Sequence, residues 1–319
     1  MTSPKLLTVI TPIIRGDLVG RMLETLYAYT PNIFYTYIID QTVAGIDSTA
    51  LRNKYKNLMI IRTPKSDVNY TGNLGFAQAT NLGIQLVQTP YFMMCNDDVE
   101  FIHPKWWDGV LKTFEIVEQQ TPERPAVIVN PSSIKLPDWS VGREKGDDHY
   151  ILPYKDEYTD DDWNYLINED HYVNEHLTLR PGSVIDGVTM YASVCDTKRF
   201  LEVGLLDERY KPGAGEDYDY SCKAAMSGYR CVGTTHSYVF HHWSKTFKAV
   251  QEEEEMRSLI IPELSWNNNN EKWGKNFDIW GVKCPDCGKN MRCLEGKLAA
   301  TCEDKHVMYK MPADTIAPL

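Results

Sequence analysis

Tyr91–Phe101 reads YFMMCNDDVEF, an apolar run that ends in two adjacent carboxylates. Tyr91, Phe92, Met93, Met94 and Cys95 follow Thr89-Pro90. A short run of this kind suits a strand buried on both faces, as in a parallel sheet. The run breaks at Asn96-Asp97-Asp98. Open α/β sheets bind their ligands at the carboxyl ends of such strands. Two like charges so close repel one another and call for a cation. Oxygen ligands of this type suit Mg²⁺ or Mn²⁺, commonly shared with substrate phosphates. The competing reading is a solvated Asn-Asp turn.

Upstream, Leu6–Ile10 (LLTVI) forms a strand pattern closed by Thr11-Pro12. Leu18, Met22, Leu23, Leu26 and Tyr27 follow a helical period, and Pro31 ends it. Tyr35–Ile39 is a second strand that stops on Asp40, Leu51–Tyr55 a short helix, and Leu58–Ile61 a third strand. This β-α-β-α-β succession with short links implies a parallel, doubly wound sheet. Thr71–Gln88 then places Phe76, Ala79, Gly83 and Leu86 on one helical face. Gly72, Asn73 and Gly75 open that helix, either as an anion site of backbone N–H groups or as a glycine loop with an Asn cap. Gly83, on the apolar face, marks close helix–sheet packing.

Downstream, Trp106–Glu118 is an amphipathic helix and Ala126–Val129 another buried strand. Residues 131–182 are polar and rich in Tyr and Trp, which favours an ordered, substrate-facing excursion. Ser183–Val194 resumes apolar structure around Asp186-Gly187, and Arg199–Leu206 reads as helical. Glu216, Asp217 and Asp219 stand at the start of a helix through Met226. Acids there either complement the helix dipole or serve catalysis. A last strand, Tyr238–Phe240, delivers His241 and His242, candidate metal ligands.

The chain has 319 residues, 43% hydrophobic and 24% charged, with a net charge of -11. That balance fits a globular protein and speaks against general binding to nucleic acid or an anionic membrane. No apolar run approaches the about 20 residues of a membrane span, and the N-terminus has no secretory pattern. A cytoplasmic location is expected, with the eight cysteines as thiols or metal ligands. Cys284-x2-Cys287 followed by Cys302-x3-His306 makes a closed tetrahedral set for structural Zn²⁺. Lys289–Ala300 carries Gly296 between two short runs, as a hairpin does, and Cys293 is a spare thiol or substitute ligand.

Taken in order, TVITP, Asp40, NLGFAQATNLGI, CNDDVEF, GLLDERYKPGAGEDYDYSCKAAMSGYR, VFHHWSKTF and KWG resemble the family 2 glycosyltransferases of the GT-A fold, in the rhamnosyltransferase-like branch. The resemblance covers roughly residues 5–280 and implies a mixed α/β sheet flanked by helices. It implies a GT-A domain over 1–250 with an acceptor-side excursion at 131–182, and a tail at 251–280. The segment 281–319 resembles a zinc ribbon. By resemblance, Thr11, Pro12, Asp40, Asn73, Gly75 and Asp97 hold the nucleotide sugar. Asp98 with His241, or with His242, holds Mn²⁺ or Mg²⁺. Asn96 stands where many members have the first Asp of their acidic motif. Asp217 of the Glu216-Asp217 pair matches the catalytic base, with Asp186 an alternative acid. The implied activity is inverting transfer of a sugar from a nucleotide-diphosphate donor to a hydroxyl acceptor. The acceptor is a glycan or another macromolecule, including a hydroxymethylated base in DNA. A non-catalytic module that binds nucleotide sugar or glycan is the alternative of another class.

Overall fold

The computed structural model describes residues 5–30, 33–63, 73–133, 188–210, 213 and 215–242, and the backbone of 184–186, 278–283, 290–293, 300–301 and 307–308. The first half alternates strand and helix: β1 (Leu7–Ile13), α1 (Val19–Tyr29), β2 (Phe34–Asp40), α2 (Ser48–Lys54), β3 (Leu58–Arg62), α3 (Phe76–Ile84) and β4 (Tyr91–Cys95). Then come β5 (Val99–Phe101), α4 (Trp106–Gln120), β6 (Ala126–Ser133), β7 (Val184–Asp186), β8 (Ala192–Asp196), α5 (Thr197–Val203), α6 (Glu216–Met226) and β9 (Arg230–His241). Nine strands form one sheet in the order β3-β2-β1-β4-β8-β6-β9-β5, with β7 also on β9.

β1 lies parallel to β2 and β4, and β2 parallel to β3, as the alternation predicts. The sheet becomes mixed beyond β4, where β8 pairs antiparallel with both β4 and β6. Strand alternation sends Met93 and Cys95 into one core and Phe92 and Met94 into the other. The first core holds Met22, Leu23 and Leu26 of α1 and Trp106, Trp107 and Val110 of α4. The second holds Ala77 and Ala79 of α3, Phe200 of α5 and Tyr220 and Ala224 of α6. Both faces of β4 are therefore covered, and this is why the run is continuously apolar. A Cβ on Gly83 would lie 2.4 Å from Ile10 Cγ2, so the close packing of α3 on β1 needs glycine there.

Several boundaries differ from the periodic reading. Asp47 caps α2 through the Ala50 N–H at 3.0 Å and starts that helix early, at Ser48. α3 starts after Gly75, whose φ of 82° is left-handed, and ends at Ile84. Leu86 lies beyond that helix and is 45% exposed, not on its apolar face. β9 runs through twelve residues, far longer than the three of Tyr238–Phe240. No helix among the described residues is long and apolar enough to cross a membrane. β10 (Asp278–Lys283), β11 (Asn290–Cys293), β12 (Ala300–Thr301) and β13 (Val307–Met308) form a separate antiparallel sheet. β11 and β12 pair antiparallel, Cys293 opposite Ala300, while Gly296 and the residues that join the two strands lie outside the described residues. Cys284, Cys287, Cys302 and His306 lie outside the described residues, as do 134–183 and the side chain of Asp186.

Candidate functional site

The carboxyl ends of β1, β2 and β4 share one edge of the sheet. Thr11 and Pro12 sit in the last turn of β1, in register with Ile38 and Ile39, and Asp40 is opposite Ile13. Asn96-Asp97-Asp98 turns the chain from β4 into β5 on that edge. This turn is not the solvated one that composition allowed, because Asp97 is 6% and Asp98 5% exposed. A carboxylate is kept at such burial only when paired.

The partner comes from β9. β5 pairs antiparallel with its end, setting Val99 opposite His241 and Phe101 opposite Val239. His241 Nε2 thereby lies 3.0 Å from Asp98 Oδ1, with the Asn96 amide 3.5 Å away. Burial raises the Asp98 carboxyl, but the charge and hydrogen bond of His241, then the charge of His242, outweigh it and hold it below the usual range. Asp98 is therefore a carboxylate near neutrality. Burial pushes the neighbouring Cys95 thiol far up, so it stays protonated and offers no thiolate.

This donor set fits Mg²⁺ or Mn²⁺. A carboxylate oxygen and an imidazole nitrogen suit either ion. Asp98 Oδ1 and His241 Nε2, 3.0 Å apart in a hydrogen bond, lie close enough for one ion to take both. Among the described residues no cluster supplies three or more metal-ligating side chains.

His242 is engaged elsewhere. Its Nε2 lies 2.6 Å from Glu100 Oε1, and Arg21 Nε donates to Glu100 Oε2 at 2.8 Å. Its backbone N–H donates to the Asp98 carbonyl at 3.0 Å. Of the two candidate histidines, His241 is the one that meets Asp98.

Asp40 is also fully engaged. Oδ1 accepts from the Thr42 N–H at 3.0 Å and the Thr42 hydroxyl at 2.7 Å. Oδ2 accepts from the Ile46 N–H at 3.2 Å and Arg62 Nη1 at 2.7 Å. Near α3, the Leu74 N–H donates to Gln41 Oε1 at 2.7 Å and the Gly75 N–H to Asn73 Oδ1 at 2.9 Å. Gly75 is the N-cap of α3 and no side chain caps that helix, so the Asn73 bond closes a turn ahead of the helix and is not the expected Asn cap.

Glu216 and Asp217 open α6 after Gly215, whose φ is 96°. α6 leads through a short turn into β9 and packs against it. Asp217 is half-buried, and burial raises its carboxyl although the Tyr218 N–H donates to it at 2.7 Å.

Glu100, Arg21 and Arg62 complete these arrangements and were not among the candidates. Glu100 had one legible sign, its spacing of two residues from Asp98. The others had none, since each meets its partner through tertiary contact.

No protein-family model and no curated protein matches the chain. Solved structures do. GalNAc-T7, solved with UDP, GalNAc and Mn²⁺, aligns with a TM-score of 0.51 at 12% identity, over 96% of this chain and 69% of that one. Mannosyltransferase PcManGT from Pyrobaculum calidifontis, with GDP-Man and Mn²⁺, aligns with a TM-score of 0.47 at 14% identity, over 76% of this chain and 59% of its own length. S. aureus TarS aligns with a TM-score of 0.45 at 15% identity, over 88% of this chain and 76% of that one. The likeness to GalNAc-T7, with the mixed sheet and its flanking helices, shows that this chain has an α/β fold of the GT-A type.

Proposed function

We propose that the chain is a divalent-cation-dependent glycosyltransferase that moves a sugar from a nucleoside-diphosphate donor to an acceptor hydroxyl with inversion. The observation that carries this reading is the buried Asp98–His241 pair, a carboxylate and an imidazole 3.0 Å apart, on the ligand-binding edge of a GT-A-type sheet. GalNAc-T7, of the same fold, was solved with UDP, GalNAc and Mn²⁺, which supports a nucleotide-sugar donor here.

Asp98 and His241 would hold the cation. When bound, it neutralises the charge that develops on the departing diphosphate. Thr11, Pro12, Asn73, Gly75 and Asp97 border the nucleotide sugar. Asp40 serves it indirectly, by building the loop through Thr42 and Ile46. Asp217 accepts the acceptor's proton as that oxygen bonds to the sugar's anomeric carbon, while the carbon–oxygen bond to the diphosphate breaks and its electrons leave with the phosphate. Its raised carboxyl suits a base better than an ordinary aspartate does. One base and one displacement invert the anomeric centre. Asp186, at the end of β7, remains the alternative acid on the acceptor side. The Cys-x2-Cys and Cys-x3-His spacings support a separate structural Zn²⁺ at Cys284, Cys287, Cys302 and His306.

The test is a donor-hydrolysis screen over nucleotide sugars with Mn²⁺ and Mg²⁺, then mass spectrometry of glycan and DNA acceptors. Asp98→Ala should abolish turnover at any metal concentration. Near-wild-type turnover of that variant in chelator would sink the reading.

A further inference from the structure

A side chain with no ligand atom of its own controls how His241 is presented. Tyr191 lies flat on the His241 ring, with centroids 4.8 Å apart and planes inclined by 20°. It directly precedes β8, the antiparallel neighbour of β4. Its main-chain carbonyl accepts from the Asn96 N–H at 2.8 Å. Its phenol donates to the Pro131 carbonyl at 2.5 Å, and the Asn130 amide donates to the same carbonyl at 3.1 Å. Asn130 is itself fixed by the Ser193 hydroxyl at 2.7 Å. Three strands therefore meet at one tyrosine: β4 through its backbone, β6 through its hydroxyl and β9 through its ring.

The physical need is clear from the imidazole. The torsion that turns a histidine ring about its Cβ–Cγ bond is broad, with no sharp staggered wells. The contact from Asp98 to Nε2 does not by itself fix the plane of the ring. A buried aromatic face against the ring removes that freedom, because rotation would drive the imidazole into Tyr191. Ligating histidines are commonly oriented by a partner outside the coordination shell, and losing that partner weakens metal binding. Burial keeps the Tyr191 phenol neutral, so it adds no charge beside the site.

We propose that Tyr191 is a positioning residue whose ring clamps the His241 imidazole with Nε2 aimed at Asp98, and so sets the affinity of the site for a divalent cation. This rests on the reading of Asp98 and His241 as cation ligands.

The experiment titrates Mn²⁺ alone, followed by electron paramagnetic resonance, into wild type, Tyr191→Phe, Tyr191→Leu and Asp98→Asn. Tyr191→Phe keeps the ring and should bind within about threefold of wild type, whereas Tyr191→Leu should raise the Kd by about 10–100-fold. Pulsed spectra should show the histidine nitrogen coupling to Mn²⁺ retained in Tyr191→Phe and weakened in Tyr191→Leu. Thermal melts report whether each variant folds. If Tyr191→Leu does not fold, Tyr191→Met fills the space without a ring and carries the same expectation. Wild-type affinity in the Leu or Met variant overturns the proposal. So does a Tyr191→Phe variant as weak as Tyr191→Leu, which would assign the effect to the hydroxyl. Wild-type affinity in Asp98→Asn removes the cation site itself, a failure distinct from that of Tyr191.

Discussion

Replacing Asp40 by Asn exchanges one acceptor oxygen for an NH2 group where four donors converge. The amide oxygen keeps one pair, such as the Thr42 N–H and hydroxyl. The NH2 then opposes the other pair, the Ile46 N–H and the Arg62 guanidinium. Each donor left unsatisfied costs about 1–3 kcal/mol. The Arg62 side chain is 38% exposed and can turn to water, so its share falls at the low end. The sum is roughly 2–3 kcal/mol, or a fall in Tm of roughly 4–12 °C. The pH dependence follows from the carboxyl. Burial raises it, but the bonds from Thr42, Arg62 and Ile46 outweigh burial and hold it below the ordinary value. A carboxyl so depressed stabilises the fold above its unfolded pKa of about 4 and loses that contribution as pH falls through its folded pKa. The gap between wild type and Asp40→Asn should therefore be full at neutral pH and close as pH falls below about 4 and through the depressed folded value. Thermal melts followed by circular dichroism at both ends measure it. No gap at neutral pH, or an equal gap in acid, would refute the idea that the charge of Asp40 holds the 42–46 loop.

Asp217→Asn should bind donor normally while kcat falls about 10²–10⁴-fold. In wild type the acid limb of kcat should lie above the ordinary aspartate value of about 3.9, since a base works only when deprotonated, and a limb at or below it would count against Asp217. Gly83→Ala forces a methyl against Ile10 and should cost about 1–3 kcal/mol of overpacking, less about 1 kcal/mol regained in helix propensity. Chemical denaturation of Gly83→Ala, Ile10→Ala and the double variant should show less than additive losses, and strict additivity would mean that the close approach is absent. Metal analysis of the intact chain should find one zinc that chain ending at residue 280 lacks, and zinc in the shortened chain would move that site elsewhere.

Much of the sheet was legible because β1, β2 and β4 are buried on both faces, and burial leaves continuous apolar runs. The ligand edge was legible for the same reason, since Asp40 and Asp97-Asp98 interrupt such runs. β5 was not, because three residues with a buried Glu100 at the centre carry no apolar period. Without β5 nothing in the sequence shows which histidine meets which acid, for that follows from register alone. The Leu86 misplacement has a local cause: the apolar period continues past Ile84, but the helix does not. Arg62 reaches Asp40 across twenty-two positions, and Tyr191 reads as one more core aromatic.

The pairing of β5 with β9 constrains how this chain can diverge. With side chains alternating between faces, one residue added or lost between Asp98 and Phe101 would slide the whole pairing and turn each side chain over. Asp98 would then be carried off His241, and Glu100 off His242. Replacements that keep Val99 and Phe101 apolar leave the register intact. The turn and its short strand can therefore drift by substitution while tolerating no insertion or deletion, so their length is inherited more strictly than their spelling.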